Sequence, residues 1–185
     1  IATHLDETSL RFRLALDILI VASENERQTL STEMSKLFGH HPAVALSTLP
    51  FIQHISQRKQ DDSQQDMVFA AQPDIPVSKH ERLEVLKSLL QFKRHHQLDA
   101  VYIKLRALAG EAQTHTEYFS YQDLFNELIA GGEAARDEIR FLFGSMQDAL
   151  QNPNTILATI SSTAAIESIA LGNPTLIIAD MGVSR

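Results

Sequence analysis

The stretch from Ile156 to Asp180 holds the residues with the clearest capacity for chemistry. An apolar run, Ile156-Leu157-Ala158-Thr159-Ile160, stops at Ser161-Ser162-Thr163. A helical pattern carrying Glu167 follows to Gly172-Asn173-Pro174, and a second apolar run ends in Asp180. That order reads as a strand–helix–strand unit. At the start of its helix the orphan backbone N–H groups and the positive end of the dipole make an anion site. Ser161, Ser162 and Thr163 add hydroxyls for phosphate oxygens without adding charge. Glu167, about one and a half turns into the helix, brings a carboxylate to the rim of the same pocket, where it can accept from ribose hydroxyls. The chemistry indicated is the seating of a nucleotide phosphate. The same hydroxyls also serve as ordinary helix caps, and Glu167 also reads as a solvated helix residue.

Two further groups could act on a phosphate. Lys104 and Arg106 flank Leu105 at strand spacing, so both project to one side near the end of a strand, where Arg106 offers a bidentate grip and both offset negative charge. Their alternative reading is a charged strand edge. His115 follows Gln113-Thr114 in a polar passage and can donate to phosphate or move a proton, or stand as a surface histidine. Gly110-Glu111 beside it suggests a mobile loop. The pairs His40-His41 and His95-His96 follow or end helices, and adjacent side chains diverge rather than chelate, so no metal site is expected. Asp61, Asp62 and Asp66 read as solvation of a linker. No Gly-x-Gly-x-x-Gly, Walker loop or Gly-x-Ser-x-Gly is present.

Positioning these residues requires alternating strands and helices. Asp17 to Ala22 reads as a buried parallel strand, and Ser23-Glu24-Asn25-Glu26 as a capping box opening a helix with Leu30, Met34, Leu37 and Phe38 on one face. Gly39 ends that helix, and Val44 to Ser47 is a second short strand. Gln57 to Gln65 has no apolar residue and marks a boundary. A fresh unit begins at Met67 to Ala71, turns through Gln72 to Pro76, and enters a helix capped by Ser78-Lys79-His80-Glu81 with Leu83, Leu86, Leu89 and Leu90 buried. Ala100 to Leu105 is a strand, Tyr121 to Ala130 a helix, Phe141 to Phe143 a strand and Ser145 to Leu150 a helix. Gln72, Arg106, Ser145 and Ser161 then leave the carboxyl ends of successive strands and converge on one crevice.

Composition sets the outer limits. A chain of 185 residues, 44% hydrophobic, builds one ordinary core or two small ones. A net charge of −7 and a sequence pI near 5.6 argue against a general nucleic-acid surface, which needs clustered Lys and Arg. The absence of cysteine excludes disulfides and thiolate metal sites. No apolar run is long enough to span a bilayer, so the reading is a soluble or at most peripheral protein.

Ser161-Ser162-Thr163, Glu167 and Gly172-Asn173-Pro174 together resemble the donor-binding segment in the C-terminal half of GT-B-type glycosyltransferases, with Asn173 in place of the usual Lys at what reads as a solvent-facing turn. The hydroxyl pair is similar to that of bacterial sialyltransferases and polysialyltransferases. From about Arg11 onward the chain resembles a family of bacterial proteins classed as glycosyltransferases, through Leu49-Pro50-Phe51, Phe69-Ala70-Ala71-Gln72-Pro73, Ile103-Lys104-Leu105-Arg106 and Thr114-His115. The resemblance implies an α/β protein with Rossmann-like parallel sheets in a two-domain GT-B arrangement, present as a fragment. Residues 1–60 would be the end of an acceptor-side domain and its linker, and residues 61–185 most of a nucleotide-sugar-binding domain. It implies transfer of a sugar from a nucleotide-sugar donor to a glycan or cell-surface acceptor, without metal or cofactor, in the cytoplasm or at the inner membrane surface. Lys104, Arg106, Ser161, Ser162, Thr163 and Glu167 would bind the donor, with Arg106 and His115 at the reacting phosphate and any general base lying upstream. A sugar-nucleotide epimerase and a non-catalytic nucleotide- or sugar-binding module stand as alternatives.

Overall fold

The computed structural model describes residues 6–47, 65–105, 118–179 and 181. The chain forms two compact units, Ile1–His54 and Ile55–Arg185. The expected boundary from Gln57 to Gln65 lies almost wholly outside the described residues, as do Arg106, His115, Asp61 and Asp62.

In the first unit a helix α1 (Glu7–Arg13) precedes strand β1 (Ile18–Val21), helix α2 (Glu24–Phe38) and strand β2 (Ala43–Leu46). Asp6 caps α1, its Oδ1 accepting from Ser9 N at 2.7 Å. The capping box of α2 forms as its sequence dictates. Ser23 Oγ accepts from Glu26 N at 3.2 Å, and Glu26 Oε2 reaches back to accept from Ala22 N at 3.2 Å. Gly39 closes the helix with φ 78°, a left-handed turn that strains a residue bearing a Cβ. β1 and β2 pair in parallel, Ile18 opposite Ala43 and Val21 opposite Leu46. Two expectations fail here. β1 is not buried on both faces: Leu19 and Val21 pack on Leu10, Leu30 and Met34, whereas Ile18 and Ile20 are 52% and 69% exposed. Helices cover one face of this ribbon among the described residues, and strand periodicity turns alternate side chains the other way. Leu37 is likewise exposed rather than on the buried face of α2.

The second unit is a five-stranded parallel sheet of order β5-β4-β3-β6-β7. Its elements run β3 (Met67–Ala70), α3 (Lys79–His96), β4 (Val101–Lys104), α4 (Tyr121–Ala130), β5 (Ile139–Leu142), α5 (Met146–Ala149), β6 (Ile156–Thr159), α6 (Ala164–Leu171) and β7 (Thr175–Ile177). β3 and β6 are buried at every residue, as central strands covered on both faces must be. Met67 and Phe69 face a core shared with Leu86, Leu89 and Leu90 of α3 and Leu124, Phe125 and Leu128 of α4. Val68 and Ala70 face the opposite core with Leu150, Leu157, Ala164 and Leu171. The chain steps outward from β3 to β4 and β5, then returns to the other flank of β3 with β6. The strand order therefore reverses between β3 and β6, and in a parallel sheet the crevice opens there, at the carboxyl ends.

A buried arginine shapes that edge. Arg82 lies in the first turn and a half of α3 and is 1% exposed, amid a helix face otherwise made of Val85, Leu86, Leu89 and Leu90. Its Nε donates to Pro76 O and its Nη1 to Phe119 O, both at 2.8 Å, and its Nη2 donates to Gln72 O at 3.1 Å and also to Pro73 O. The guanidinium lies over the Tyr121 ring, 4.8 Å from its centroid, and Tyr121 packs edge-on against Phe69. Taking a cation out of water costs several kcal/mol, and a fork of donors to oriented carbonyl dipoles offsets it. The result ties the β3–α3 loop and Phe119, two residues before α4, to one point.

Replacing Arg82 by Met strands those buried carbonyls, so Arg82→Met should lower the stability of the second unit by roughly 2–5 kcal/mol. Tyr102, Tyr118 and Tyr121 all lie in that unit and the chain has no Trp, so urea unfolding followed by tyrosine fluorescence reads this unit alone. A change below about 1 kcal/mol would show that the carbonyls find water instead.

Candidate functional site

The carboxyl ends of β3 and β6 meet at the switch point, and their loops are hydrogen-bonded directly. Gln72, two residues past β3, accepts through Oε1 from Ser161 N at 3.2 Å and from Ser161 Oγ at 3.3 Å. At the strand ends themselves Thr159, fully buried, donates from Oγ1 to Ala70 O at 3.4 Å and accepts from Ser162 N at 3.3 Å. The serine turn is thus pinned to β3 by one side chain from each strand.

The three hydroxyl residues have different duties. Ser162 Oγ accepts from Ala164 N at 3.2 Å, and Ser162 O accepts from Ala165 N at 3.1 Å. Ser162, rather than Thr163, thereby caps α6. Thr163 already has helical dihedrals (φ −61°, ψ −14°) and makes no capping bond through its side chain. Its hydroxyl is exposed, and among the described residues its N–H has no acceptor. Thr163 is therefore the residue of the turn that offers both a backbone and a side-chain donor to an incoming anion. Ser161 is committed to Gln72 through both of its donors.

Glu167 sits nearer the turn than its expected one and a half helical turns, because α6 begins at Ala164. It lies in the first turn, where the dipole favours a carboxylate. It is half-buried, and burial alone raises its pKa above the usual value for a glutamate. Among the described residues no cation offsets that shift, so hydrogen-bond donors from a ligand would favour the ionised carboxylate.

Lys104 closes β4 and is 6% exposed. Its expected alternative as a charged strand edge is corrected by the sheet order, since β4 lies between β3 and β5. Its Nζ donates to Leu105 O at 2.7 Å, which holds the ammonium at the carboxyl end of the strand. Ser145, past the end of β5, is absorbed into the cap of α5, accepting from Asp148 N at 3.1 Å and donating to Asp148 Oδ2 at 2.6 Å. His40 and His41 each contact a backbone oxygen of their own turn, Phe38 O and Pro42 O, while the His96 ring stacks 4.2 Å from that of Phe92. Among the described residues no three His, Cys, Asp or Glu side chains gather as a metal site.

Asn173 overturns the expectation of a solvent-facing turn. It is 5% exposed, and its Nδ2 donates to Asn152 O at 3.1 Å and Leu150 O at 3.4 Å. The neighbouring Pro174 O accepts from Leu157 N, near the start of β6, so Gly172-Asn173-Pro174 lies at the amino edge of the sheet. That is the opposite end from Ser161. Asn173 ties the β6 approach to the start of β7, a role that needs a short neutral amide. Sequence reasoning placed Gln72 at the crevice but missed its contact with Ser161 and missed Arg82 altogether; an arginine interrupting a leucine face was the available signal.

A family model described as "Putative glycosyltransferase (DUF6716)" matches residues 1–185. Among solved structures the chain is similar to one from the "GtfA/B complex", with 15% identity, a TM-score of 0.52, and coverage of 91% of this chain and 31% of that one. It is also similar to a UDP-forming α,α-trehalose-phosphate synthase from Burkholderia xenovorans (14% identity, TM-score 0.47, 96% and 48% covered) and to the trehalose-6-phosphate synthase OtsA (14%, 0.47, 92% and 47%). The chain thus spans less than half the length of each. No curated protein matches it. The first likeness is one of fold: parallel Rossmann-like sheets of the GT-B type. No helix among the described residues is long and apolar enough to cross a membrane.

The capping assignment has a direct test. Ser162→Ala should lower stability by about 0.5–2 kcal/mol, whereas Thr163→Ala, which removes no capping bond, should stay within about 0.5 kcal/mol. Equal losses in urea denaturation would reject the division of labour between them.

Proposed function

The chain belongs to the glycosyltransferase family whose model spans it, and from that membership we propose that it moves a sugar from a nucleotide-sugar donor to a saccharide or other cell-surface acceptor, without a metal ion. One observation carries the proposal. At the switch point of the parallel sheet, Thr163 has an N–H with no acceptor among the described residues and lies exposed at the start of α6, with the half-buried Glu167 in the same helical turn. Phosphate at the turn and ribose at Glu167 fit that spacing.

In this reading the Ser161-Ser162-Thr163 turn is the phosphate seat, Thr163 supplying the donors while Ser161 and Ser162 hold the turn in shape, and Glu167 accepts from the ribose hydroxyls. Lys104 and Arg106 balance the charge that builds on the leaving phosphate as the bond from the anomeric carbon to the phosphate oxygen breaks and the bond to the acceptor oxygen forms, the acceptor's hydroxyl proton passing to the departing phosphate. His115 joins Arg106 at that phosphate. Residues 61–185 supply most of the donor domain and residues 1–60 the end of the acceptor-side domain. A donor of this class places the reaction in the cytoplasm or at the cytoplasmic face of the membrane.

Calorimetry with UDP, CDP, GDP and CMP should find one that binds equally well with and without EDTA. Arg106→Ala should weaken that nucleotide about tenfold or more, as loss of a charge-assisted hydrogen bond requires, and leave the nucleoside unchanged. Binding abolished by EDTA and restored by magnesium or manganese would reject the metal-independent seat.

Glu167 adds a pH dependence with a definite sign. Its folded pKa is raised, so the folded state holds the proton more tightly, and this contribution to stability fades as pH rises from the ordinary glutamate value through the raised one. Ribose hydroxyls favour the ionised form. Nucleoside affinity should therefore increase with pH across that same window, with proton release, and Glu167→Gln should make it flat. A wild-type affinity that is level across the window would remove Glu167 from the ribose site.

A further inference from the structure

Gln72 faces the serine turn across the switch point, and its contacts fix more than its position. A backbone N–H can only donate, so the bond from Ser161 N requires the oxygen of the Gln72 carboxamide to face Ser161 and the nitrogen to face away. The Ser161 hydroxyl donates to the same oxygen. At the other end the Gln72 carbonyl is held by Arg82 Nη2, itself fully buried and donating to Pro73, Pro76 and Phe119. The residue is thus anchored through its backbone and aimed through its side chain. The residue is half-buried at the crevice, and its Nε2 carries two N–H donors with no acceptor among the described residues.

Resting on the donor-site reading above, we propose that Gln72 Nε2 is a direct donor to a phosphate oxygen of the bound nucleotide, and that Ser161 is a positioning residue that aims it. The physical reason is economy of donors. Both of Ser161's protons are already used on Gln72, and transferring them to a phosphate would release the carboxamide that links the two strands. A neutral amide held in advance adds a hydrogen bond without reorganisation when ligand arrives. Phosphate is then gripped from both sides of the switch point, by Gln72 from β3 and by Thr163 from α6.

The test titrates the full chain, as wild type, Gln72→Met and Ser161→Ala, with UDP, CDP, GDP, CMP and inorganic pyrophosphate, and follows the side-chain NH2 resonances of ¹⁵N-labelled wild-type protein. The tightest phosphate ligand should bind Gln72→Met about tenfold or more weakly, while its nucleoside binds unchanged. Ser161→Ala keeps the backbone N–H that orients the amide, so its affinity should stay within about threefold. The Gln72 NH2 resonances should move with the phosphate ligand and stay still with the nucleoside. Wild-type affinity in Gln72→Met, or unmoved resonances at saturation, would overturn the role of Gln72 and leave the nucleotide site standing. Failure of every ligand, pyrophosphate included, to bind the wild type would overturn both. The wild-type resonances decide the question even if Gln72→Met does not fold.

Discussion

A guanidinium sealed beneath the β3–α3 loop is the constraint on which the carboxyl edge of the sheet depends. Arg82 carries a charged fork of donors, and buried as it is, it keeps backbone carbonyl oxygens around it. The backbone at Gln72, Pro73, Pro76 and Phe119 supplies them. Those residues belong to the connections following β3 and β4, which would otherwise be free to adopt many conformations. A set of carbonyls ties it to two segments of chain, and this fixes loops rather than residues.

The serine turn inherits that rigidity through Gln72. Its geometry is maintained from below by Thr159, which bonds both to β3 and to the turn, and from the side by the Gln72 amide. Within the turn, hydrogen-bonding capacity is divided so that Ser161 links strands, Ser162 caps the helix and Thr163 keeps its donors. A helix start usually trades structural against ligand-binding use of the same groups. Here three consecutive hydroxyl residues divide the structural bonds so that Thr163 makes no capping bond through its side chain.

What could be read from the sequence was local. Capping at Ser23 and Ser78 acts over three residues, and both hydroxyls cap, accepting from Glu26 N and Glu81 N at 3.2 Å, although the Glu81 carboxylate accepts from Ser78 Oγ instead of reaching back to the backbone. The strand–helix alternation and the full burial of β3 and β6 follow from apolar runs with clear ends. What could not be read was set by partners distant in the chain. Gln72 and Ser161 are 89 residues apart, and Arg82 meets Phe119 across 37. Asn173 looked like a turn residue because Gly and Pro flank it, and only the packing of the β6 approach against it makes it interior. In β1 the apolar run carried no sign that one face would go uncovered.

The topology also makes the crevice a seam. On one side lie β3, β4 and β5 with α3 and α4, and on the other β6 and β7 with α5 and α6. Apart from β3–β6 pairing and shared core, the residues that stitch the halves at this edge among the described residues are Gln72 with Ser161, and Thr159 with Ala70. A molecule held from both sides therefore acts as a clasp. Whatever free energy it releases on binding is added to the work needed to part the two halves, growing as RT ln(1 + [L]/Kd). On the proposed reading, occupancy of the crevice and cohesion of the sheet would be one thermodynamic quantity seen from two directions, and the seam would be firmest with the nucleotide bound.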